Sequence, residues 1–216
     1  MTLNYELYWS FRSPYSYMIM DRLVALERDY DVIGVIRPVY PLAVRTPEFF
    51  DTRDPLWFSY FIVDIHREAA FLGLPFRWPR PDPVYMDPAT RKYPPQQPYI
   101  HALTRKGVLA AERGRGLAYL DEVSKVIWTG TVDNWHEGDH LDQAAVRAGL
   151  DPAELNAAAD AEAERLHAAI EESQVAQRQN GHWGVPMIRF NNEPFFGQDR
   201  FDQFKWRLEQ QGLTRR

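Results

Sequence analysis

The stretch YELYWSFRSPYSYMIMDRLVALERDYDVIGVI, residues 5–36, decides the fold. Its first five residues are strand formers, and the SFRSP segment is a turn into residues 15–28, where apolar side chains recur at helical spacing. Residues 31–36 then form a short β-branched run that is typical of a buried strand. This order predicts a βαβ unit whose two strands run parallel with a right-handed crossover.

Beyond this unit the sequence is helical for more than 100 residues and then returns to strands. A proline-rich segment interrupts the helices, and its eight prolines over residues 75–98 predict a long ordered loop against which aromatic side chains pack. Helical patterns occupy residues 54–73, 99–113, 117–128 and 142–148, and another begins at residue 151; strand patterns follow at residues 186–190 and 195–196, and a closing helix spans residues 199–211.

The element order predicts an α/β fold with a discontinuous domain. Residues 1–50 and 181–216 should share one mixed sheet, and residues 51–180 should form an inserted helical domain that carries the proline-rich loop. Such an insertion creates a cleft where the two parts meet. We therefore expect the functional site to lie at this junction.

Composition excludes several classes of function. The chain has 216 residues, a net charge of −5 and no cysteine. It lacks the basic clusters of a nucleic-acid-binding face, an apolar run long enough for a membrane span and a signal-peptide pattern, so we expect a cytoplasmic protein without nucleic-acid or membrane partners. Because no cysteine is present, its own side chains cannot perform dithiol redox chemistry, and any thiol must come from a ligand.

The Ser13-Pro14 pair allows two interpretations. A serine before a proline at the first helical position is an ordinary helix start, in which the hydroxyl oxygen accepts a backbone N–H. The same helix terminus favours an anion, however, and a hydroxyl pointing outward can donate to a ligand thiolate. Such a hydrogen bond would lower the pKa of the ligand thiol.

Two further segments carry similar alternatives. The peptide bond before Pro186 is trans by default; if it is cis, the backbone of Val185 turns toward the cleft and can pair with an extended peptide. Asp199, at the start of the last helix, is either an N-cap or a partner for the ammonium group of a small peptide.

The motifs FRSPYSY (residues 11–17), GHWGVP (181–186) and FFGQDRFD (195–202) occur in this order along the chain. Together they resemble the glutathione-using branch of the DsbA-like thioredoxin fold, which contains the 2-hydroxychromene-2-carboxylate isomerases and the kappa-class glutathione transferases. The resemblance implies a thioredoxin-like mixed sheet with a helical insertion, glutathione as cofactor and a homodimer.

The resemblance also implies a role for individual residues. Ser13 would contact the glutathione sulfur, and Val185 would pair with the cysteinyl backbone beside a cis-proline, Pro186. Gln198 and Asp199 would hold the γ-glutamyl end.

The chain departs from the family pattern on one side of the expected site. Trp57 stands where the family often has a lysine, and an asparagine common in the loop after the second strand has no clear counterpart. Arg45 or Arg53 is either a replacement for the missing positive charge or a solvated loop arginine.

Other chemistries receive little support. His136 and His140 are four residues apart, as metal ligands on a helix can be, but Gly138 between them disfavours a rigid helix face, so we expect no metal site. No G-x-S-x-G nucleophile elbow is present.

The sequence therefore predicts a glutathione-dependent isomerase that acts on a small aromatic or unsaturated carboxylate or ketone by reversible thiolate addition. One alternative is a kappa-like transferase that conjugates glutathione to electrophiles. The other is a non-catalytic ligand-binding or interaction protein with the same fold.

Overall fold

Four strands form one mixed sheet at the centre of the fold. The computed structural model describes residues 2–50, 52–90 and 92–216, and only the backbone of Pro55. The strands are β1 (Leu3–Trp9), β2 (Val32–Pro38), β3 (Met187–Phe190) and β4 (Glu193–Phe196), and their spatial order is β2-β1-β3-β4. β1 pairs parallel with β2 and antiparallel with β3, which pairs antiparallel with β4. The parallel β1–β2 pair confirms the strand pairing expected of the opening unit.

Ten α-helices surround the sheet within the described ranges. They are α1 (Pro14–Met18), α2 (Met20–Asp29), α3 (Leu42–Arg45), α4 (Pro55–Phe71), α5 (Ile100–Glu112), α6 (Gly116–Trp128), α7 (His140–Arg147), α8 (Pro152–Ala161), α9 (Ala163–Gln179) and α10 (Phe201–Gln210). Helices α4 to α9 lie between the two strand pairs in the sequence, which confirms the α/β class with helices between the two halves of the sheet. The domain boundaries at residues 50 and 180 stay a prediction, and a single hydrophobic cluster extends from the sheet into these helices.

The first helix differs from the expected continuous one over residues 15–28. It breaks at Ile19 into α1 and α2. The indole Nε1 of Trp9 donates to the carbonyl oxygen of Ser16 at 2.7 Å, and in a continuous helix that oxygen would accept from the amide of Met20. A buried contact from β1 therefore takes the place of one helical hydrogen bond.

Helix ends follow the local signals of the sequence. Asp54 caps α4 by accepting from the amide of Leu56 at 2.8 Å, and Asp151 caps α8 by accepting from the amide of Ala153 at 2.8 Å. Gly73, just beyond α4, has a φ of +67°, the left-handed conformation expected of a C-terminal glycine.

The proline-rich loop is ordered by its side chains. Its described residues between α4 and α5 form neither helix nor strand, and three of its aromatic residues, Phe76, Trp78 and Tyr93, pack against the core. Phe76 stacks on Trp128 of α6 with the ring planes at 12°. Tyr85 differs from them, because it remains exposed. The loop thereby brings an aromatic surface beside the start of α1.

Candidate functional site

Ser13 is the N-cap of α1. Its Oγ accepts a hydrogen bond from the amide of Ser16 at 3.2 Å and donates one to the carbonyl oxygen of Val185 at 3.3 Å. The ordinary capping role of this serine is therefore present. A hydroxyl hydrogen can rotate without moving the oxygen, so the same group can donate to a ligand atom in place of the Val185 carbonyl.

Val185 faces Ser13 across the end of the sheet. Its peptide bond to Pro186 is cis, as the resemblance implies, and Pro186 itself is buried behind it, where its carbonyl accepts from the amide of Gly197 at 2.9 Å. The amide N–H of Val185 has no hydrogen-bond partner within the described ranges. One backbone donor beside Ser13 is thus available to a ligand.

Ser13 and Val185 both line a large cavity between the sheet and the helical segment. The cavity has a volume of about 1010 Å³, which is at the upper end of the usual range for small-molecule sites. Thirteen aromatic side chains contribute to its described wall. Six of them come from α4, the proline-rich loop, the segment before Pro186 and β4: Trp57, Phe61, Trp78, Tyr93, Trp183 and Phe196. The cavity therefore suits a ligand with flat apolar parts.

Trp57 shows how the chain differs from the family pattern at this site. Its ring lies parallel to that of Phe61, with centroids 5.4 Å apart. The position at which the family often has a lysine is therefore part of the aromatic wall.

The described wall carries three charged side chains, Arg12, Arg53 and Asp82. Arg12 and Asp82 form an ion pair with each other. Arg53 is exposed, and its guanidinium carbon lies 3.9 Å from the centroid of the Phe49 ring. The described wall has one net positive charge, and Arg53 is the side chain that could present it to a ligand.

Arg45 does not line the cavity, although the sequence offered it as a second candidate cation. It donates to the Gln177 side chain at 2.9 Å and to the carbonyl oxygen of Trp183. Burial, with a contribution from nearby Arg178, lowers the pKa of Arg45 to about 10. Arg45 is thus a half-buried support for the segment that carries Val185.

Residues 182–184 are held by neighbours that sequence reasoning missed. Nε2 of Gln177 donates to the carbonyl oxygen of Gly184 at 2.7 Å, and Nδ1 of His182 accepts from the amide of Gly184 at 2.8 Å. The His182 ring stacks on Phe196, with centroids 3.7 Å apart. A Cβ at Gly184 would lie 2.3 Å from the Phe196 ring, so this stack requires glycine.

Gln198 and Asp199 do not belong to the described cavity wall. Gln198 is buried, its amide nitrogen donates to Glu68 at 2.6 Å, and its amide oxygen accepts from Arg22. Asp199 is exposed and pairs with Arg200 at 3.2 Å. The structure therefore brings Ser13 and Val185 together and engages the other two side chains elsewhere, so their predicted contact with a γ-glutamyl group stays a prediction.

Ser10 is another residue that the sequence did not indicate. It lies in the cavity wall near Ser13, and its buried hydroxyl has no hydrogen-bond partner in the described part of the chain. An unpartnered buried hydroxyl is costly, so a ligand group that hydrogen-bonded to Ser10 beside Ser13 would remove this cost. Nothing in the SFRSP pattern distinguishes this serine from a turn residue.

Protonation of His182 should weaken the fold at mildly acidic pH. Burial lowers the pKa of His182 below its usual 6.5, and Nδ1 must be unprotonated to accept from Gly184. The unfolded chain therefore binds this proton more readily, so stability falls as the pH drops below about 6.5. His182→Asn keeps an acceptor near the Gly184 amide but does not titrate.

Urea unfolding at about pH 7.5 and 5.5 tests this expectation. The wild-type chain should lose more unfolding free energy over this interval than His182→Asn does. Equal losses in the two proteins would show that His182 is not responsible.

The described residues contain neither a helix suited to a bilayer nor a cluster of metal ligands. No helix among them combines the length and apolar character that a bilayer span requires. In the same residues, no three histidine, aspartate or glutamate side chains are grouped as metal ligands would be.

Comparison with known proteins places the chain by its sequence and fold. The family model of the DSBA-like thioredoxin domain matches residues 6–209, whereas no curated protein matches the sequence. The structure is similar to that of a 2-hydroxychromene-2-carboxylate isomerase, with a TM-score of 0.72 and 17% identity over 96% of this chain and 95% of that one.

Two other solved structures share the fold. A probable DsbA oxidoreductase from Streptomyces coelicolor matches with a TM-score of 0.65 and 20% identity over 96% of this chain and 89% of that one. The cytosolic disulfide reductase DsbM from Pseudomonas aeruginosa, solved with GSH, matches with a TM-score of 0.59 and 16% identity over 97% of this chain and 98% of that one. These likenesses confirm the thioredoxin-like fold. Since the family model covers nearly the whole sequence, the chain belongs to the DSBA-like thioredoxin domain family.

Proposed function

We propose that this chain is a glutathione-dependent isomerase of an unsaturated aromatic carboxylate or ketone. One observation carries the proposal: the Ser13 hydroxyl and the Val185 backbone meet in the wall of a large aromatic cavity. Because the chain has no cysteine, the thiol chemistry common to this fold requires a sulfur from outside. The similar isomerase structure and the DsbM structure with GSH are consistent with such a ligand.

The residues around Ser13 fit the cysteinyl part of glutathione. Ser13 Oγ can donate to sulfur, and the Val185 N–H, which has no partner within the described ranges, can pair with the ligand backbone as a strand edge does. The γ-glutamyl end fits less directly, since Gln198 would first have to leave Glu68 and Arg22. Arg53 is the cation of the described wall that could meet a carboxylate.

When bound, glutathione would supply a sulfur nucleophile that adds reversibly to a conjugated carbon and leaves again after bond rotation. Ser13 would favour the ionised thiol by donating a hydrogen bond to it. The aromatic wall would hold a flat substrate and exclude water, and Arg53 would orient a substrate carboxylate.

Product analysis with 2-hydroxychromene-2-carboxylate and glutathione tests the proposal. We expect the substrate to isomerise while the amount of free glutathione stays constant. A stable thioether adduct would instead identify a transferase. If the substrate is unchanged and calorimetry detects no glutathione binding at millimolar concentration, the chain is a non-catalytic member of the fold.

A further inference from the structure

A forked ion pair connects the start of the site to the proline-rich loop. Nε of Arg12 lies 2.9 Å from Oδ1 of Asp82, and the terminal NH2 nitrogen of Arg12 lies 3.0 Å from Oδ2. Arg12 immediately precedes Ser13, whereas Asp82 is 70 residues away in the sequence. Two parallel hydrogen bonds fix the relative orientation of both groups as well as their distance.

Asp82 also organises the loop around itself. Its Oδ1 accepts from the amide of Val84 at 2.8 Å, and its Oδ2 accepts from the indole nitrogen of Trp78 at 3.2 Å. One carboxylate thus receives four hydrogen bonds, two from Arg12 and two from the loop. Trp78 and Val84 both line the cavity. By accepting hydrogen bonds from both residues, Asp82 fixes the position of part of the cavity wall.

Arg12 is enclosed by the same wall. Its guanidinium carbon lies 5.7 Å from the centroids of the Trp78 and Tyr93 rings, and 15% of its side chain is exposed. Burial alone would lower the pKa of Arg12, but the Asp82 carboxylate outweighs this effect and raises it. The guanidinium therefore stays charged and keeps its two hydrogen bonds to Asp82 of the loop.

We propose that Arg12 and Asp82 are a positioning pair, which holds the aromatic wall of the proline-rich loop against the segment that carries Ser13 and thereby sets how tightly the cavity binds its aromatic ligand. The pair acts on the wall and leaves the Ser13 hydroxyl in place. Its loss should therefore weaken ligand capture more than it slows the chemical step. For its effect on turnover, this inference rests on the function proposed above.

Asp82→Asn tests the pair, because asparagine keeps the size of the side chain and removes its charge. With 2-hydroxychromene-2-carboxylate, KM should rise about tenfold while kcat stays within about twofold. Amide hydrogen exchange at Val84 should also accelerate about tenfold. Arg12→Lys keeps the charge but loses the fork, so it should produce a smaller rise in KM, about threefold.

Glu193→Gln is the matched control, because Glu193 forms an equally forked pair with Arg207 outside the described cavity wall. This variant should leave KM and the exchange of the loop unchanged. The proposal is overturned if Asp82→Asn leaves both KM and Val84 exchange as in the wild type, or if kcat falls while KM does not change. If the wild-type chain does not turn over the probe, the proposed function fails, and hydrogen exchange still decides whether the pair holds the loop.

Discussion

Ser13→Ala should lower turnover about 10- to 100-fold, because a hydrogen bond to a charged group contributes roughly 1.5–3 kcal/mol. Glutathione affinity should change by less than about threefold, since the peptide contacts of the ligand do not involve this hydroxyl. Steady-state kinetics and calorimetry measure the two quantities separately. The expected result is a fall in kcat that is much larger than the change in the dissociation constant.

The substitution also removes a helix cap, which costs about 1 kcal/mol of stability. Asp151→Ala is a matched control, because Asp151 caps α8 through the amides of Ala153 and Glu154 and does not line the cavity. It should lose similar stability and keep full turnover. Equal turnover in Ser13→Ala and the wild type would remove Ser13 from the mechanism.

Trp128→Ala should cause the largest loss of stability, about 3–5 kcal/mol. Trp128 is fully buried, its indole nitrogen donates to the carbonyl oxygen of Phe11 at 3.0 Å, and its ring contacts Phe76 and Trp78 of the proline-rich loop. The variant would create a large cavity and leave the Phe11 carbonyl without this donor. Thermal unfolding should shift downward by roughly 10 °C.

Trp206→Ala provides the comparison for this prediction, because about half of Trp206 is exposed. Removing it should change the unfolding free energy by about 0.5 kcal/mol or less. A Trp128→Ala protein as stable as Trp206→Ala would contradict the view that α6 ties the loop to the segment before Ser13.

The sequence predicted those features that depend on local patterns. The βαβ opening followed from hydrophobic periodicity in residues 5–36, and the helix starts near residues 54 and 151 followed from helical patterns. The break at Ile19 could not be predicted locally, because its cause is the indole of Trp9, which lies on another element. Contacts of this kind depend on the completed fold.

The same distinction holds for the functional site: motifs indicated single residues, whereas contacts between residues far apart in the sequence were not predictable. Ser13 and the cis bond at Pro186 were indicated by motifs, and in the structure Ser13 Oγ lies 3.3 Å from the carbonyl oxygen of Val185. The Arg12–Asp82 pair was not indicated by any motif, because no sequence pattern connects two charged residues 70 positions apart. Gln198 shows the converse, since a motif named the residue but could not reveal that Glu68 and Arg22 engage its amide.

The most direct test of the central claim is the ionisation of glutathione bound to the protein, followed by ultraviolet absorbance of the thiolate as the pH is raised. The chain has no cysteine, so any thiolate belongs to the ligand, and the absorbance of the protein alone is subtracted to remove the tyrosine contribution. We predict that the bound thiol ionises well below the value of about 8.5 for a free cysteine thiol, and that Ser13→Ala moves it back toward that value. A ligand that binds and ionises no earlier than free glutathione, or that does not bind at all, would contradict the account.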